Sequence, residues 1–143
     1  MNVESVLNAK GSSVVTARPN MPVAEIAKLL ADAGIGAVVI SADNARVQGI
    51  LSERDIVRAI AEQGDGALAL AASDLMTRDV VTCGPADHVA DLMGIMTEKR
   101  IRHLPVVCEG TLSGIISIGD VVRCRVQEIE SEAEALRNYV TQG

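Results

Sequence analysis

Two short stretches hold the residues best placed to do chemistry, Ser52-Glu53-Arg54-Asp55 and Ser117-Ile118-Gly119-Asp120. Each follows a glycine-led apolar segment, Gly49-Ile50-Leu51 or Gly114-Ile115-Ile116, and leads into Ile56-Val57-Arg58 or Val121-Val122-Arg123. The pattern predicts a buried strand that stops at the serine and turns directly into a helix. At such a junction the serine hydroxyl caps the helix, and the aspartate favours its positive end. The same turn exposes free backbone N–H groups that suit an anion, and a carboxylate beside them can accept both hydroxyls of a ribose. For one copy alone, capping is the simpler role. Its duplication raises the weight of the second.

Other chemistry is sparse. Cys83, Cys108 and Cys124 are odd in number and lack Cys-x-x-Cys spacing, so they read as free thiols of a reducing compartment. None stands in a motif beside a base that could activate it. His88 and His103 are too far apart, and too poorly supported by nearby ligands, to suggest zinc. No catalytic residue and no metal site is expected.

A net charge of −6 and a pI near 4.8 argue against general nucleic-acid binding, which needs a basic face. With no Phe or Trp and Tyr139 as the single Tyr, bases also lack a stacking platform. A planar ligand must therefore lie between aliphatic side chains. The 48% hydrophobic content demands extensive burial. Yet no apolar run approaches the roughly 18 residues of a membrane span, and the N-terminus lacks the basic start and apolar core of a signal peptide. The chain reads as cytosolic, with neither membrane nor nucleic acid as a partner.

The elements that must position the two turns follow from periodicity. Residues 1–13 form a lead-in with Val3, Val6 and Leu7 on one side of a helical turn, and Val14-Val15-Thr16 is a short strand. Val23, Ile26, Ala27 and Leu30 mark one face of a helix that Gly34 ends. Strands follow at 36–40 and 47–51, and then a helix from Ser52 or Asp55 to Gly64. After a Gly- and Ala-rich stretch the order repeats: strand Val80-Val81-Thr82, helical stripe Val89, Leu92, Met93 and Met96, strands 101–107 and 112–116, and the helix from Asp120. Over 14–40 and 47–58 the halves share thirteen identities, among them Thr16/Thr82, Ser52/Ser117, Asp55/Asp120 and Arg58/Arg123. One β-α-β-β-α half is too small to bury its sheet and helices alone. Two halves packed sheet to sheet about a pseudo-twofold axis would do so, and would leave two related clefts between them.

Two such repeats, each closing on Gly-Ile-x-Ser-x-x-Asp, resemble a tandem pair of CBS (cystathionine-β-synthase) domains. Ser73-Asp74-Leu75-Met76-Thr77-Arg78-Asp79-Val80-Val81-Thr82 and Lys99-Arg100-Ile101-Arg102-His103-Leu104-Pro105-Val106-Val107 are typical of that family. The resemblance covers about residues 1–125 and is to the stand-alone bacterial CBS proteins. It implies an α/β (α+β) fold, with repeat 1 over 1–66, a linker over 67–73, repeat 2 over 74–125 and a helical extension over 126–143.

The resemblance further implies adenine-nucleotide binding in the clefts and regulation of a protein partner. Asp55 and Asp120 would take ribose hydroxyls, each in its own cleft, while Ser52 and Ser117 help to hold phosphate at the helix N-termini. Backbone near Thr16, Ala37 and Val38, or near Thr82, Arg102 and Leu104, would read the adenine edge, and Gly36, Ile101 and Pro105 are further expected nucleotide-binding residues. Lys99, Arg100, Arg102 and His103 offer cations before the second repeat's strand, where the first has Ala33, Gly34, Gly36 and Ala37. Arg54 sits inside the first turn, where the second has Gly119. Each cleft would then draw its cations from a different place, with unequal affinities. AMP, ADP, ATP or NAD are the expected ligands, and the cations make S-adenosylmethionine less favoured. The rival readings are a purely structural dimerisation module and an enzyme acting on a bound nucleotide.

Beyond the second turn, Val122, Val126, Ile129, Ala133, Leu136 and Val140 make a heptad-like stripe, with Glu128, Glu130, Glu132 and Glu134 alongside. This predicts one long helix forming part of a homodimer contact.

Overall fold

The computed structural model describes residues 1–142. Helix α1 (Val3–Lys10) opens the chain, capped by the Asn2 side chain, which accepts from the Ser5 N–H at 2.9 Å. Strand β1 (Thr16–Ala17), helix α2 (Val23–Ala33), strands β2 (Ala37–Ile40) and β3 (Gly49–Ser52) and helix α3 (Glu53–Gln63) form the first repeat. A 3-10 turn over Gly64–Ala69 and the short helix α4 (Ala72–Leu75) lead to helix α5 (Val89–Lys99), strands β4 (His103–Cys108) and β5 (Thr111–Ser117), and helix α6 (Ile118–Gln142). The fold is mixed α/β with two small sheets.

In the first sheet β1 runs parallel to β2, and β2 antiparallel to β3, with Ala37 opposite Ser52 and Ile40 opposite Gly49. All four residues of β2 are buried. Since successive side chains of a strand point to opposite faces, both faces of β2 are covered. In the second sheet β4 pairs antiparallel with β5, His103 opposite Ser117. The strand expected at Val80-Val81-Thr82 does not form. Pairing there shrinks to Cys83, which donates to the Pro105 carbonyl at 3.0 Å and accepts from the Val107 N–H at 2.8 Å. The preceding backbone is engaged elsewhere, because Thr77 exchanges hydrogen bonds of 2.9 and 3.0 Å with Ile50 of the first sheet. The first strand is displaced in the same sense, from 14–16 to Thr16–Ala17.

Two cores result, and each is sealed by the other repeat's lead-in. Val3 and Leu7 of α1 join Cys83, Val89, Leu92, Met96, Leu104, Val106, Ile116, Val121 and Cys124. Ala72 and Met76 join Ala17, Val23, Ile26, Leu30, Val38, Ile40, Leu51 and Ile56. Glycine at two strand starts permits this crossing. A Cβ on Gly114 would lie 2.7 Å from Leu7 Cδ1, and one on Gly49 would collide with the Met76 thioether. Residues 64–72 are packed as well, with Ala67 and Ala72 fully buried.

The long helix predicted beyond the second turn is present, but its stripe faces outward. Val121 and Cys124 hold α6 on the second core, while Val122, Val126, Ile129, Leu136 and Val140 are 46–69% exposed.

Candidate functional site

Both Ser-x-x-Asp turns are built alike. The Ser52 N–H and hydroxyl donate to Asp55 Oδ2 at 2.9 and 3.0 Å, and the Asp55 N–H donates to Ser52 Oγ at 3.2 Å. Ser117 and Asp120 repeat these three bonds at 2.9, 3.0 and 3.2 Å. Capping is therefore a real task of both aspartates. It leaves one oxygen, Oδ1, on each.

The surroundings of that oxygen differ. Asp55 is half-buried beside a cavity of about 800 Å³, and its Oδ1 has no hydrogen-bond partner among the described residues. Asp120 is 6% exposed, with Oδ1 accepting from Arg123 at 2.6 Å and Oδ2 from Lys10 at 2.7 Å. Burial pushes the Asp120 carboxyl upward, but the Lys10 and Ser117 hydrogen bonds outweigh it and hold the group below the usual carboxylate value of 3.8.

Three segments enclose the cavity at Asp55. The first repeat supplies Gly36, Ala37, Ile50 and the start of α3: Ser52, Glu53, Arg54, Asp55, Val57 and Arg58. The second repeat's lead-in supplies Thr77, Asp79, Val80 and Val81, and the α5–β4 junction supplies Lys99, Arg100, Ile101, Arg102 and His103. Five cationic side chains thus meet three acidic ones in a chain whose overall charge is −6. Ile50, Val57, Val80, Val81 and Ile101 provide aliphatic walls, with no aromatic side chain among the lining residues.

Close approach of the repeats is visible at Gly36, where a Cβ would lie 3.3 Å from His103 Cε1 and 3.4 Å from Glu53 Oε1. Burial pushes His103 below its usual value near 6.5, although Glu53 pulls the other way. Arg100 ends α5 in a left-handed conformation, φ 56° and ψ 43°, where the corresponding residue of α2 is Gly34, φ 65° and ψ 37°.

Of the residues singled out from sequence, Gly36, Ala37, Ser52, Arg54, Asp55, Arg100, Ile101, Arg102 and His103 line this cavity. Val38 and Leu104 are fully buried in their cores, and Pro105 is buried in β4. Thr16 donates its hydroxyl to Asn44 at 2.6 Å, and Thr82 is exposed beyond the lining. Ser117, Gly119 and Asp120 belong to the other turn. The expectation that the clefts draw cations from separate places is overturned, since Arg54 and the Lys99–His103 group face one cavity. The fold puts the α5–β4 junction of one repeat opposite the Ser-x-x-Asp turn of the other. Sequence reading passed over Arg58, Thr77, Asp79, Val80 and Val81. The lead-in motif containing the last four was visible, but not the cleft it would reach.

The CBS domain family matches the chain twice, over residues 6–62 and 72–126. The chain belongs to that family and carries a tandem pair. It is similar to the crystal structure of the CBS-domain protein ATU1752 from Agrobacterium tumefaciens, with 46% identity and a TM-score of 0.84 over 87% of this chain and 92% of that one. It is also similar to PAE2072 from Pyrobaculum aerophilum, solved in complex with AMP, with 30% identity and a TM-score of 0.75 over 84% and 89%. The CBS pair of MJ0100, in complex with 5′-methylthioadenosine and S-adenosyl-L-methionine, matches with 25% identity and a TM-score of 0.79 over 90% and 98%.

Proposed function

We propose that this chain is a regulatory module that binds an adenine nucleotide in the cavity at Asp55 and transmits its presence to a protein partner. One observation carries the reading. A carboxylate oxygen without a partner lies in an aliphatic-walled cavity lined by Arg54 and Arg58 of its own helix and by Lys99, Arg100 and Arg102 of the other repeat. Asp55 Oδ1 accepts the ribose hydroxyls, and the adenine lies between Ile50, Val80, Val81 and Ile101. Arg54 and Lys99 to His103 neutralise phosphate, with the N–H groups at the start of α3 adding to them. This charge balance favours AMP, ADP, ATP or NAD over the cationic S-adenosylmethionine held by MJ0100. The Ser117–Asp120 turn, with Thr82, Leu104 and Pro105, is the counterpart in the second repeat and the weaker site.

Ligand acts on a partner only through unequal affinity for two arrangements of the repeats. The cavity spans both repeats, so its occupancy bears on how they pack. The exposed stripe of α6 is the contact with a second copy of the chain, giving a homodimer.

Isothermal titration of AMP, ATP and NAD into the chain and its Asp55→Ala variant tests the reading. Saturable binding that Asp55→Ala weakens at least tenfold supports it. The absence of heat with all three nucleotides, in a folded sample, leaves the structural dimerisation module as the better account. Turnover of ATP or NAD by pure protein would instead favour an enzyme.

A further inference from the structure

We propose that Lys10 and Arg123 together close the Asp120 carboxylate of the second turn to a ribose, so that the chain takes one nucleotide, at Asp55, and that this pair of cations sets the number. The inference rests on the nucleotide reading of the cavity at Asp55.

The two turns are matched in their capping bonds, so a difference in binding has to come from what else reaches the carboxylate. Leu7 covers Gly114 as Met76 covers Gly49. Lys10 lies three residues beyond Leu7, in the last turn of α1, and Asp79 three residues beyond Met76, in the loop after α4. Asp79 lines the Asp55 cavity and, being an acceptor, cannot satisfy that carboxylate. Lys10 instead donates to Asp120 Oδ2 at 2.7 Å, while Arg123 takes Oδ1 at 2.6 Å. The Asp120 side chain is left 5% exposed. The first-repeat counterpart of Arg123 is Arg58, which lines the cavity and makes no ion pair with Asp55.

A ribose hydroxyl and an ammonium both make charge-assisted bonds to a carboxylate, but only the ammonium brings the opposite charge that a buried carboxylate needs. Lys10 is also held in place before any ligand arrives. It is the last residue of α1, three residues past the buried Leu7, and the helix stops at Gly11 with φ 100°. A nucleotide at Asp120 must displace a tethered cation from a buried carboxylate. At Asp55 it meets an oxygen with no partner.

The test counts bound AMP by native mass spectrometry and by titration. The unaltered chain is expected to bind one AMP per chain. Lys10→Met with Arg123→Met, which removes both charges, is expected to bind two, and that pair of changes with Asp55→Ala to keep one. Two AMP per unaltered chain, or one with Lys10→Met and Arg123→Met combined, overturns the inference while leaving the nucleotide reading intact. AMP bound by none of the variants overturns the nucleotide reading and this inference with it. A second measurement needs no nucleotide. Lys10, Lys28 and Lys99 are the chain's three lysines, and amine acylation followed by peptide mapping is expected to find Lys10 slowest. Asp120→Asn should release it to the rate of Lys28; equal rates for Lys10 in both proteins count against the occupancy of Asp120.

Discussion

Met76 lies against Gly49 so closely that the strand can carry no side chain there, and the backbone carbonyl of Thr77 sits 3.0 Å from the same point. At Gly114 the three nearest atoms all belong to the Leu7 side chain, which can turn aside. Gly49→Ala is therefore expected to cost more than Gly114→Ala, within the about 1–3 kcal/mol typical of overpacking. Urea unfolding of the two variants gives the comparison, and the reverse order would place the rigid contact on the wrong repeat.

Arg100 holds a left-handed backbone that glycine holds at the matching place, at a cost of about 1–2 kcal/mol for a side-chain-bearing residue. Arg100→Gly is expected to raise stability by about 1 kcal/mol and to weaken AMP binding roughly tenfold, the loss of one charge-assisted contact. Arg100→Ala should lose the binding without gaining the stability. A stabilised Arg100→Gly with undiminished affinity would remove Arg100 from the site.

His103 is held below its ordinary value by burial, with Glu53 and Asp120 pulling up and Arg102 and Lys10 pushing down. The folded chain thus favours the neutral ring. Its contribution to stability is complete above the unfolded value near 6.5 and is lost as pH falls through that value towards the lower folded one. Phosphate beside the ring reverses the preference, so AMP binding should take up a proton and tighten as pH falls from about 8 to about 6. Melting curves and titrations over that range, in buffers of different ionisation heat, report both effects. His103→Gln should abolish the proton uptake.

The outward stripe of α6 makes a sharp distinction between a helix and a seam. If Ile129 and Leu136, 55% and 65% exposed, met only solvent, Ile129→Glu with Leu136→Glu would change stability by no more than about 0.5 kcal/mol each and leave the mass in solution unaltered. As a seam between copies, the same pair of changes should convert a dimer to a monomer in sedimentation equilibrium. A monomer before any change would remove the homodimer from the account.

The sequence disclosed the fold through local signals. Strand, Ser-x-x-Asp and apolar helix appear twice, and thirteen identities align the repeats. Capping by the turn serines and aspartates is legible because it is settled within four residues, whereas the ribose role set beside it depends on the cleft the halves form. The strand at Val80–Thr82 was misplaced because Thr77 is held by Ile50, a partner that no local pattern names. Lys10 escaped notice for a related reason. The spacing that matches Leu7 to Met76 differs from the 66 residues that match the helices, so the lead-ins fell outside the aligned repeats. The crowding of Arg54 and Lys99 to His103 in one cavity depends on how the halves cross, which charge patterning along the chain does not encode.

Helix α1 is translated long before the strand that Leu7 covers. A nascent first half therefore emerges carrying an apolar plug for a socket not yet made, while its own socket waits for Met76. Docking of α1 becomes a late, long-range closure, with the loop entropy that such closures carry. A gene cut between the repeats would produce two fragments, each stranded with an uncovered core, that regain the native form only by finding one another.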